Sequence, residues 1–201
     1  MRRRGIPTMW DGRRYRSRLG ARWARFFDLL HWKHEYEPFD LPGFIPDFVL
    51  TDGLRPILID VRPLAVLGQF DQRLDELEAL IFRYWKNPII CVGAVLLERQ
   101  GMFDLSLGLI SDPDGLSGPA EIVQCGYCGR LSLNNYTGAW ESLLCTHEPN
   151  TNKWWREPVK HTLYSWREDP GHFPGVGADE CAFIENLWRT AANDVLWMAT
   201  R

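Results

Sequence analysis

The chain has 201 residues, 45% of them apolar and 13% aromatic, with a net charge of −3. This composition excludes a disordered chain and fits one domain, or one domain with a small module. No apolar run reaches the ~18–20 residues that span a bilayer. The basic start, MRRRGIPTMWDGRRYRSR, has no apolar segment behind it, so a secretory signal is not expected and a cytoplasmic location is.

The modest net charge hides an asymmetry. Residues 1–25 hold nine arginines and a single acid, Asp11, a local charge of +8, and the other 176 residues sum to −11. Arginine without lysine suits bidentate contacts to phosphate. The expected nucleic-acid contacts are Arg13, Arg14, Arg16, Arg18 and Arg22, with a solubilising or protein-docking arm as the alternative. Residues 1–15 read as an extended, poorly packed basic arm.

Ser17 is a good N-cap, and Leu19, Trp23, Phe26, Phe27 and Leu30 recur at helical spacing to about His31. Arg18, Arg22 and Arg25 share another face of this helix. Gly20 is out of place, since an interior Gly costs about 1 kcal/mol relative to Ala. It also stands three residues after the cap, where Glu would complete a capping box. A polar-aromatic strand follows around 33–38, and Pro42-Gly43 turns the chain.

FIPDFVLTDGLRPILIDVRP, residues 44–63, reads as two strands joined at Thr51-Asp52-Gly53. Asp47 lies within the first apolar run and Asp60 within the second. Burying a carboxylate is costly unless a cation neutralises it. The two aspartates could share a hard cation such as Mg²⁺ (or Mn²⁺), or each could pair with an arginine. A second amphipathic helix is predicted over 69–86, with Phe70, Leu74, Leu77, Ile81 and Tyr84 as its buried stripe. PIICVGAVLL then reads as a buried strand, and 103–110 as a further edge strand.

SDPDGLSGP, residues 111–119, has the composition of a linker. The predicted division is a basic arm over 1–15, a core over 16–110, a Trp-rich module over 120–178 and a helix over 179–201. The last helix has Ala182, Phe183, Leu187, Trp188, Ala191, Val195 and Leu196 as its apolar stripe. Within the module, Cys125-Gly126-Tyr127-Cys128-Gly129 reads as half of a structural zinc site, with a redox or free pair or simply buried cysteines as the alternatives. Cys145 and His147 are the expected other half, with His161 and His172 as alternatives for the fourth ligand. Trp140, Trp154, Trp155 and Trp166 would pack around such a small metal module, or stack on bases. Cys91 and Cys181 read as small core residues.

The element order αβββαβ, with Pro46-Asp47 on the second strand and Asp60-Val61-Arg62 on the third, resembles the PD-(D/E)XK nuclease superfamily. The longer train YRSRLGARWARFF…YEPFDLPGFIPDFVL…LIDVRP is similar to small restriction-endonuclease-like proteins of phages and bacterial accessory genomes, over about residues 10–96. The resemblance implies an α/β restriction-endonuclease-like core with a mixed sheet, here followed by a zinc-ribbon-like module. It also implies Mg²⁺- or Mn²⁺-dependent hydrolysis of DNA, with Asp47 and Asp60 as metal ligands and Arg62 in the position of the catalytic lysine.

Two residues depart from that pattern. Gly20 stands where the family has a helix Glu, and Glu35 or Glu37 would have to replace it. Arg62 replaces Lys, and a guanidinium cannot act as a base near neutral pH, although it can stabilise a phosphorane. The expected function is a metal-dependent DNA endonuclease. The alternative is a catalytically inactive DNA- or protein-binding factor of the same fold, working alone, as a homodimer or with a protein partner.

Overall fold

The structure is a computed structural model and describes residues 5–53, 55–98, 105–115, 117–124, 131–135, 141–142, 144 and 178–197. Cys125, Cys128, Cys145, His147, His161, His172 and the four module tryptophans lie outside the described residues. In place of an extended arm, the chain opens with a hairpin of β1 (Thr8–Trp10) and β2 (Arg13–Tyr15). Asp11 and Gly12 turn it with φ of 45° and 71°, the left-handed pair that a tight two-residue hairpin needs. Tyr15 is buried, with its ring 4.5 Å from that of Tyr36. A short basic segment thus acquires a packed side, which its charge conceals.

Helix α1 (Arg18–Leu29) starts as its sequence predicts, with the Ser17 Oγ accepting from the Gly20 N–H at 3.0 Å. Its stripe of Trp23, Phe26 and Phe27 is fully buried, each side chain worth about 1.5–3 kcal/mol of transfer free energy. The Trp23 indole also donates to the Gly93 carbonyl at 2.9 Å, which satisfies its one polar atom.

Three antiparallel strands follow, β3 (His34–Tyr36), β4 (Phe48–Leu50) and β5 (Ile57–Val61). Helix α2 (Leu67–Ile81) crosses over to β6 (Ile89–Glu98), which runs parallel to β5. Phe70, Leu74, Leu77 and Ile81 of α2 are buried as the periodicity predicts, whereas Tyr84 lies past the helix end and is exposed. Strand alternation sorts the core onto two faces. Phe48, Leu50, Ile57, Ile59 and Val61 pack with α1, while Val49, Leu58, Ile89 and Cys91 pack with α2.

The sheet continues through β7 (Leu105–Ser111), β8 (Ser117–Gln124), β9 (Leu131–Asn135) and β10 (Glu141–Ser142), all antiparallel. Among the described residues it has eight strands in the order β10-β9-β8-β7-β6-β5-β4-β3. β7 is therefore central, not an edge strand, and each of its seven residues is buried. Gly108 makes this possible, because a Cβ there would lie 1.9 Å from the Cys91 carbonyl oxygen. The linker-like segment 111–119 contains the turn between β7 and β8, whose Ser111 and Ser117 are partners. Its turn-forming composition reads the same in a linker and in a hairpin.

Helix α3 (Ala178–Trp197) packs on α1, bringing the Trp188 ring 4.5 Å from Trp23 and 5.2 Å from Phe26. Its buried line is Ile184, Trp188, Ala191 and Val195, while Phe183 and Leu196 are exposed. No helix among the described residues is long and apolar enough to cross a membrane.

Candidate functional site

The site forms where the registers of three strands coincide. Tyr36 is paired with Phe48, and Phe48 with Ile59. One residue further along, Glu37, Asp47 and Asp60 fall in a row, and Asp60 is in turn the register partner of Cys91. Asp60 lies on the α2 side of the sheet, since it alternates with Ile59 and Val61 of the opposite face. Asp47 and Asp60 are buried at 8% and 2% exposure, so both must find cations or donors.

Asp60 finds two arginines. Arg62, two residues on along the same strand direction, donates Nη2 to Oδ1 at 2.6 Å and Nε to Oδ2 at 3.0 Å. Arg73 of α2 donates Nε to Oδ2 at 2.8 Å and Nη2 to Oδ1 at 3.3 Å, while its Nη1 bonds Glu76 at 3.0 Å. A carboxylate has about four lone-pair positions, and these four contacts fill them.

Asp47 is held differently. Its Oδ1 accepts from Arg16 Nη2 at 2.9 Å and its Oδ2 from the Val61 backbone N–H at 2.8 Å. Arg16 also pairs with Glu37, and its own N–H donates to the Tyr36 hydroxyl at 2.9 Å. Burial raises the Asp47 carboxyl above the usual 3.8. Asp60 raises it further, against the Val61 bond, Arg62 and Arg16. Burial also pushes the Cys91 thiol up to about 12, with the Asp60 charge adding to it, so Cys91 is a core thiol and not a nucleophile.

The sequence-nominated residues thus divide. Asp47, Asp60 and Arg62 converge, joined by Arg16 and Glu37, whereas Glu35 is exposed opposite Val49. Arg13 and Arg14 are exposed on the hairpin. Arg22 turns away from solvent, its guanidinium 3.6 Å over the Trp188 ring with Nη2 3.0 Å from the Trp188 carbonyl, and Arg25 meets Asp194 at 2.7 Å. Gly20 adds no carboxylate, and the first turn of α1 contains no acid.

Arg73 is the residue that sequence reasoning missed. It is the only basic residue between Leu67 and Ile81, among four acids, and that isolation was the available signal.

Mg²⁺ fits this donor set poorly. It needs near-octahedral oxygen ligation, and an ion on Asp60 would have to displace a guanidinium. Among the described residues, no group of three or more His, Cys, Asp or Glu is disposed to hold a metal. Compared with protein-family profiles, curated proteins and solved structures, the chain matches none.

Proposed function

We propose that this chain is a nucleic-acid-binding protein built on a restriction-endonuclease-like core whose hydrolytic centre is closed by arginine. The observation that carries this reading is the saturation of Asp60 by Arg62 and Arg73. Two guanidiniums supply the positive charge that a metal would bring, but they activate no water. The element order α1-β3-β4-β5-α2-β6, with β5 and β6 parallel, supports the core assignment. The exposed Arg13 and Arg14 on the hairpin support a phosphate-backbone partner, DNA before RNA. Cys125, Cys128, Cys145 and His147 are assigned to a structural zinc in a ribbon-like module, which about one zinc per chain by metal analysis would support.

The test is binding and cleavage of a labelled DNA duplex, in EDTA and in Mg²⁺ or Mn²⁺. The expected result is binding in EDTA that weakens steeply with salt, no cleavage, and a Tm indifferent to Mg²⁺. Absence of binding to DNA and RNA alike would reject the reading.

A second reading, a working nuclease, is favoured by the row of Glu37, Asp47 and Asp60. It requires Mn²⁺-dependent cleavage that Asp60→Ala abolishes, and a rate raised by restoring Gly20→Glu with Arg62→Lys.

A further inference from the structure

Arginines are placed unevenly in this fold. The half-buried Arg25, Arg55, Arg62 and Arg73 each meet a carboxylate. Arg18 and Arg22, one turn apart on α1, meet none among the described residues. The Arg18 Nε is buried with no hydrogen-bond partner among the described residues. Arg22 spends Nε and Nη2 on a single neutral acceptor, the Trp188 carbonyl. A desolvated donor without an acceptor is costly, and native proteins seldom leave one without a reason.

Both arginines line one cavity of about 370 Å³ between α1, α3, the loop after β5 and strand β6. Its other walls among the described residues are Leu19, Pro63, Ala94, Ala192, Val195 and Leu196, with no acid among them. Two cations without a counter-ion among the described residues, in a cavity whose other described walls are apolar, call for an anion with an apolar or aromatic body. A bare inorganic ion would leave most of that volume unfilled. Guanidinium forks match phosphate oxygens in geometry, and a phosphomonoester carries up to two negative charges for two arginines. Burial already strains the Arg22 charge, holding its pKa down to about 10, so an incoming anion would relieve it.

We infer that the cavity between α1 and α3 is a nucleotide-phosphate pocket. Arg18 and Arg22 would grip the phosphate, and the base or sugar would lie on the Leu19, Pro63 and Leu196 wall. The inference rests on the nucleic-acid reading only for the source of that phosphate, a strand's 5′ end or a free mononucleotide.

The full chain is titrated by calorimetry with deoxyadenosine 5′-monophosphate, deoxyadenosine and inorganic phosphate. The monophosphate is expected to bind at least about tenfold tighter than either fragment. Arg18→Gln should remove that advantage without lowering Tm, since it deletes an unpaired donor. Ala192→Phe, which fills the cavity and spares both arginines, should do the same. Equal affinity for all three compounds would overturn the pocket, as would monophosphate binding that survives both variants. Short 5′-phosphorylated and 5′-hydroxyl strands then identify the source. A 5′-phosphate preference lost in Arg18→Gln assigns the pocket to nucleic-acid ends, and monophosphate binding with no strand binding assigns it to free nucleotide. The latter outcome rejects the nucleic-acid reading and leaves the pocket standing.

Discussion

Asp60 accepts from two arginines at once, so its removal strands two cations. Arg62 and Arg73 keep 39% and 21% of their side chains exposed, which lets water recover part of the loss. Asp60→Asn is therefore expected to cost about 3 kcal/mol, the lower end for breaking a buried pair, read as a fall in urea midpoint. Asp47 makes its contribution in the neutral form. Its raised carboxyl means that folding favours the neutral acid, chiefly through burial. That contribution is fully present below the ordinary 3.8 and is lost as pH rises through the raised folded value. Relative to Asp47→Asn, the wild type should gain stability as pH falls from about 7 to about 3. Urea midpoints of the two proteins across that window measure it, and parallel pH curves would contradict it.

Helix α1 invites repair at one position. Gly20 has an ordinary helical φ, and a Cβ there would meet only the Ser17 Oγ, at 3.4 Å. Gly20→Ala should stabilise by about 0.5–1 kcal/mol, visible as a higher Tm, whereas Ser17→Ala should cost about 1 kcal/mol. This helix was legible because its cap, period and stripe agree with one another. The carboxylate pair was legible too, because acids inside apolar β-branched runs stand out. Which cations would answer them was not. Arg16 and Arg73 lie 31 and 13 residues from their aspartates, and only strand register and the α2 crossover bring them near. What packs beside the face of Arg18, Arg22 and Arg25 was illegible for a similar reason, since that helix comes at the other end of the sequence.

Across the whole molecule, the seam between α1 and α3 closes the fold. Trp188 meets Trp23, Phe26 and the Arg22 guanidinium together. Trp188→Ala should cost about 3–5 kcal/mol, beyond what the cation–π contact alone supplies, and should lower the Tm. The same seam sets a schedule for synthesis. Trp23 leaves the ribosome some 165 residues before Trp188, a delay of roughly ten to thirty seconds at ordinary translation rates. Through that interval the nascent chain can lay the sheet against one side of α1 but has nothing to cover the side of Trp23 and Phe26 that Trp188 occupies. A chaperone that holds apolar surface would find its longest-lived target there, and chains stalled before α3 should be the ones that aggregate.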